Sequence, residues 1–178
     1  MRPICAMFLC MISFHSYGCG SDLDMDRMAH QLFTNKDFVR FSCPEHDCKE
    51  QVFRGRVEFK TYRIDSKPAL DVCIVESKLK GVNYYSGVFA KYNNRYLFQF
   101  TSLASGITLG RDANGVPTLS EAERGDSSGR QVELTLYRWN GRYFTYVKSE
   151  IFPILSPVEN LPATLNKSIK QCDSTECQ

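Results

Sequence analysis

Two segments of this 178-residue chain align at a constant offset of 47 residues, FAKYNNRYLFQF from Phe89 and LYRWNGRYFTYV from Leu136. Each reads as a β-hairpin, because Asn93-Asn94 and Asn140-Gly141 are dipeptides that tolerate the positive φ of a two-residue turn. Lys91 matches Arg138, Tyr92 matches Trp139, Arg95 matches Arg142 and Tyr96 matches Tyr143. With a two-residue turn at Asn140-Gly141, Trp139 faces Arg142, Tyr137 faces Phe144 and Thr135 faces Tyr146. Leu134, Leu136, Tyr143 and Val147 then share the opposite face. The same register sets Phe89, Phe98 and Phe100 on the face equivalent to Leu134, Leu136 and Val147, which is therefore the expected core. The ring-bearing face has two readings: burial under a helix or the carboxy-terminal tail, or a recognition surface.

The rest of the chain is consistent with a sheet. Ser21 and Asp24 form a capping-box pattern ahead of apolar residues at three- and four-residue steps, which predicts a helix over about 22 to 33. Thr34 and Asp37 are candidate caps for a second helical turn before CPEHDC. QVFRGRVEFKTYRI reads as an alternating strand with a bend at Gly55, and ALDVCIVES as a more buried strand. VNYYSGVFAKY and RYLFQFTS flank Asn93-Asn94, and ITL and VPTLS are short strand candidates in a polar stretch from about 103 to 130. The expected fold class is α+β: mainly antiparallel β-sheet of six to eight strands with an N-terminal helix packed on it. Residues 19–152 are expected to form that single domain. Residues 153–178, with Pro153, Pro157 and Pro162, read as an extended tail.

The opening MRPICAMFLCMISFHSYG carries one charge, a short apolar run and then small residues, the layout of a secretory signal over residues 1–18. Gly18-Cys19, followed by Gly20, Ser21 and Asp22, resembles a bacterial lipoprotein signal. The resemblance implies lipidation of Cys19 and a lipid anchor on a membrane facing the periplasm; a chain cleaved without lipid is the alternative, and secreted. Of the eight cysteines, six remain beyond the signal. Cys43 with Cys48 and Cys172 with Cys177 are expected to close small disulfide loops. A lipidated Cys19 leaves Cys73 unpaired, whereas an unlipidated one permits three bridges of open connectivity.

Chemistry is sparse. Removing Arg2 with the signal leaves one basic residue in excess and no Lys/Arg block, which argues against nucleic-acid binding. Only His30 and His46 lie beyond the signal. Ser127-Ser128 lacks the strand-turn-helix setting of a nucleophile elbow. Cys43, His46 and Cys48, with Glu45 or Asp47, invite a metal, but a disulfide is the simpler reading. Asp112 and Asn114 in RDANGVPTL suggest the start of a calcium loop without its remaining ligands. Glu58, Asp65, Asp71 and Glu76 are candidate paired carboxylates, with solvated strand positions as the plain reading. No metal or cofactor is expected.

The order ITLGRDANGVPTL, a Gly-rich stretch, then YRWNGRYF resembles segments of exported bacterial β-proteins, including envelope lipoproteins of the immunity and lysozyme-inhibitor kind. That resemblance implies a non-enzymatic protein that binds a protein partner, as an immunity or inhibitor factor against a cell-wall hydrolase or toxin. Trp139, Arg142 and Tyr143 are the expected anchors, with Tyr92 and Arg95 secondary. The alternatives are a small envelope hydrolase, which requires a cleft holding a carboxylate of raised pKa, and a structural envelope lipoprotein.

Overall fold

The computed structural model describes residues 19–44, 48–79, 81, 83–124 and 130–153. The expected signal, the Cys172 and Cys177 pair and the tail beyond Pro153 lie outside those residues, as do Glu45, His46, Asp47, Ser127 and Ser128.

Among the described residues three helices come first: α1 (Asp22–Phe33), α2 (Lys36–Ser42) and α3 (Glu50–Gly55). α1 starts where the capping pattern sets it, with the Ser21 hydroxyl accepting from the Asp24 amide and the Asp24 carboxylate accepting from the Ser21 amide at 3.0 Å. α2 is capped by Asn35, whose side-chain oxygen accepts from the Phe38 amide at 3.0 Å, and not by Thr34 or Asp37. The segment QVFRG, expected to open a strand, is helical in α3. Its Phe53 is fully buried, with the rings of Phe33 and Phe38 5.6 and 5.8 Å away. One buried ring in a single short turn leaves no periodicity for the sequence to display.

Eight strands follow among the described residues: β1 (Val57–Ile64), β2 (Leu70–Ser77), β3 (Tyr84–Tyr92), β4 (Arg95–Ala104), β5 (Gly106–Arg111), β6 (Pro117–Arg124), β7 (Gln131–Trp139) and β8 (Phe144–Pro153). They form two antiparallel sheets, β1-β2-β3-β4 and β5-β6-β7-β8, so the chain is mainly β with some helix. The division falls at Ser105, whose amide and hydroxyl both donate to the Ala122 carbonyl at 2.7 Å. One residue between Ala104 and Gly106 thus carries the chain from the first sheet to the second.

The central strand β2 is buried on both faces, which is why it reads as a continuous apolar run. Cys73 and Val75 join one core cluster with Met28, Leu32, Phe38, Phe53, Val57 and Phe89. Val72 and Ile74 join a second with Val88, Ala90, Leu119 and Phe144, a cluster drawn from both sheets. An irregularity at Val88/Phe89 pairs Val88 with Phe100 but Phe89 with Phe98. Phe98 therefore packs against the first cluster and Phe100 against the second, and the three rings do not share the single face that strict alternation assigned to them.

The second hairpin departs from its expected register in the same way. Trp139 pairs with Phe144 and Tyr137 with Tyr146, and after a shift at Leu136/Tyr137, Thr135 pairs with Ser149. The connection is four residues, not two. The Asn140 side chain accepts from the amides of Arg142 at 3.0 Å and Tyr143 at 2.8 Å, an Asx turn that needs positive φ only at Gly141, where it is 102°. Asn93 and Asn94, by contrast, have φ of 48° and 60° and close the first hairpin with Tyr92 opposite Arg95.

Of the two readings left open for the ring-bearing face of that second hairpin, burial holds for Tyr137, Trp139 and Phe144, while Tyr146 is 64% exposed. Tyr137 stacks on Phe100 at 4.6 Å between ring centroids, Trp139 meets Phe144 edge-on at 5.2 Å, and all four rings belong to the inter-sheet cluster. Leu134 and Leu136 are only half-buried, and Val147 is 47% exposed.

Two disulfides are present among the described residues. Cys43–Cys48 closes the loop expected for it, and Cys19 bonds to Cys73, closing 54 residues onto the central strand. A sulfur held in that bond cannot carry a lipid thioether. The pairing therefore corresponds to the unlipidated alternative, with Cys73 bonded and not free.

Candidate functional site

Four hairpin connections meet at one end of the two sheets: residues 65–69, 93–94, 112–116 and 140–143. In an antiparallel meander every second loop returns to the same end, so the two repeated hairpin tips arrive there together. Between the loops lies a cleft of about 880 Å³. Its walls include Lys67, Lys91, Tyr92, Arg111 and Trp139.

Three of the five expected anchors gather at this end in one cluster. The Arg142 guanidinium lies over the Tyr143 ring at 5.1 Å and the Tyr92 ring at 5.8 Å, within cation–π range. Tyr92 is 36% exposed, Tyr143 40%, and Arg142 is exposed. Trp139 lines the cleft but is half-buried against Phe144, so it is a wall of the site and part of the inter-sheet core. Arg95, expected as a secondary anchor, is exposed at the start of β4 opposite Tyr92 and has no partner among the described side chains.

The electrostatics of the cleft follow from which charges are already committed. Asp112 accepts from the amides of Asn114 and Val116 at 2.9 and 3.0 Å through one oxygen and meets Arg138 at 2.9 Å through the other. One oxygen caps the turn and the other pairs with Arg138 of β7, so the Asp112 carboxylate is committed within the fold. Asp71 faces Arg63 at 3.3 Å and Lys91 at 3.8 Å. Arg111 donates to the Asp65 carbonyl, and Lys67 is exposed with no ion pair among the described residues. Asp65 is the one carboxylate in the cleft lining, against Lys67, Lys91 and Arg111, so cations outnumber anions there.

The four carboxylates singled out in the sequence do not converge. Glu58 and Glu76 sit opposite each other across β1 and β2, 3.8 and 2.8 Å from the Lys60 ammonium between them, and Asp65 and Asp71 lie at the other end of those strands. A different acidic group was missed: Glu121, Glu123 and Glu133. Registers pair Glu121 with Thr135 and Glu123 with Glu133, on the face that carries Leu119 and Tyr137. The alternation in SEAER and VEL was the available signal. Burial, then the charges of Glu133 and Glu121, push the Glu123 carboxyl above its ordinary value. Tyr137 donates to Glu121 at 2.8 Å, and burial together with that bond holds its phenol protonated. Among the described residues, no group of three or more His, Cys, Asp or Glu is placed to hold a metal ion.

The chain matches no protein-family model, no curated protein and no solved structure.

Proposed function

We propose that this is an exported, non-enzymatic binding protein that engages a protein partner through its four-loop end, in the manner of an inhibitor or immunity factor against a cell-wall hydrolase. The observation that carries the reading is the Tyr92–Arg142–Tyr143 ladder on the rim of the cleft, two exposed rings with a cation between them. Tyr and Arg dominate binding energy at protein interfaces when a neighbouring surface dries them. The scaffold on this reading is the pair of sheets with the amino-terminal helix laid on the first, supported by Leu32 against Gly87. Secretion without a lipid on Cys19 is the route that suits two disulfides.

Affinity capture of envelope proteins on the purified protein, with Arg142→Ala as the control, tests the reading. The expected result is one stoichiometric partner whose affinity falls by about 2 kcal/mol in the variant at unchanged melting temperature. Arg142 is the better probe than Trp139, since truncating a ring packed on Phe144 also removes core. Capture of no specific partner, or equal capture by Arg142→Ala, overturns it.

A second reading, a small envelope hydrolase, draws support from the raised Glu123 carboxyl. Against it, Pro117 lines the cleft while Glu123 stands six residues further along β6, about 20 Å at the strand rise. Cleft and perturbed acid are in different places. Cell-wall polymer turnover abolished by Glu123→Gln would establish the hydrolase.

A further inference from the structure

We infer that the four-loop cleft receives an acidic peptide segment, a run of Asp or Glu side chains from the partner, gripped by Lys67 and Arg111 beneath the Arg142 ladder. The inference rests on the proposed binding function and specifies the chemistry of what enters. Three cations, Lys67, Lys91 and Arg111, line one cleft. Of the carboxylates around it, Asp112 is spent on Arg138 and two loop amides and Asp71 on Arg63 and Lys91, and Asp65, in the lining itself, offsets one of the cations. Lys67 has no carboxylate partner among the described residues, and Arg111 bonds a backbone carbonyl and not a carboxylate, so two cations face the one cleft anion, Asp65. An otherwise near-neutral chain thus carries a local positive excess inside a concave, aromatic-walled site.

The size and shape select among anions. A volume of about 880 Å³ is near the upper end of ligand clefts, more than a lone carboxylate or phosphate needs. Nucleic acid requires a track of cations along successive phosphates, and here the cations converge on one concavity. A peptide loop of consecutive acids presents its charges within one Debye length, so all of them sense the same cleft. Electrostatic complementarity of this kind sets register and speeds encounter, and it weakens as salt rises.

The probe is a fluorescein-labelled hexaglutamate peptide, titrated by anisotropy against the purified, disulfide-bonded protein at about 50 mM salt, where exposed charges are weakly screened. Hexaglutamine and a sulfated oligosaccharide are titrated alongside. Expected is saturable binding of hexaglutamate only, weakened about ten-fold or more in the Lys67→Glu, Arg111→Glu double variant and at about 0.5 M salt. Lys67→Glu alone breaks no recorded contact of the fold and should weaken binding a few-fold, which guards against a folding defect in the double variant. Equal binding of hexaglutamine, preference for the sulfated oligosaccharide, no binding, or unchanged affinity in both variants would overturn the inference. A partner captured through Arg142 with salt-independent affinity, indifferent to Lys67→Glu, would leave the binding function standing and remove only the acidic segment.

Discussion

Ser21 and Asp24 show how much a few atoms at a helix start decide. The hydrogen bonds from the Ser21 hydroxyl and amide hold the Asp24 carboxyl below its ordinary range, with Arg27 adding a smaller electrostatic pull against the opposing effect of burial. A carboxyl lowered by folding adds stability above its unfolded pKa, and that contribution disappears as pH falls through the folded value. Ser21→Ala should therefore cost about 1 kcal/mol at neutral pH and raise the Asp24 titration toward the unfolded value. Chemical denaturation at two pH values, with an NMR titration of the Asp24 carboxyl, checks both parts. An unchanged Asp24 pKa would mean that the cap is not what holds it. The Glu123 carboxyl is shifted the other way, so its contribution is present below the unfolded value and lost as pH rises through the folded one. At this scale the capping box was fully legible, because it is local in sequence. The acidic group was not, because Glu123 and Glu133 meet only once β6 and β7 pair.

Elements were legible to the extent that their signals were periodic and their turns ordinary. α1, the buried β2 and the Asn93-Asn94 hairpin lie where the sequence set them. The second hairpin lost its register because Asn140 uses its side chain to make the turn, a choice that two residues of sequence do not reveal. That single change swaps cross-strand partners along the tip, joining Trp139 to Phe144 instead of Arg142. It also frees Arg142 to reach Tyr92 on the neighbouring hairpin, so the candidate site exists because the turn is four residues long. The close approach of elements is equally invisible in sequence. Leu32 of α1 lies over Gly87 of β3 so closely that a Cβ on Gly87 would stand 2.5 Å from the leucine side chain. Gly87→Ala should destabilise the protein by about 1–3 kcal/mol through overpacking, and Leu32→Ala in the same chain should recover part of that loss. Thermal melts of the two single variants and the double variant measure the coupling; strictly additive losses would show that the two residues do not meet.

At the scale of the whole molecule, the bond between Cys19 and Cys73 ties the first described residue to the strand buried on both faces. No spacing rule could have found it, since the two sulfurs lie 54 positions apart and the sequence offered lipid as a competing fate for Cys19. The competition is chemical and exclusive: one sulfur forms a disulfide or a thioether. Both sulfurs are buried, Cys19 to 1% exposure and Cys73 to none, so the bond closes inside the cluster that also holds Leu32 and Phe89. Closing a loop of that length restricts the unfolded chain by about 4 kcal/mol on the chain-entropy model. A Cys19→Ser, Cys73→Ser variant should therefore unfold at markedly lower denaturant, with a similar loss in the wild-type protein under reducing conditions. Cys43–Cys48 spans five residues and should contribute far less, because the entropy removed grows with loop length. Intact mass of the protein isolated from its native host provides the decisive measurement. Loss of two hydrogens per bridge and no added acyl mass would support Cys19 in the disulfide and a protein without a lipid anchor. A diacylglyceryl adduct on Cys19 would mean that Cys73 is free in the cell and that the four-loop end works from the membrane surface.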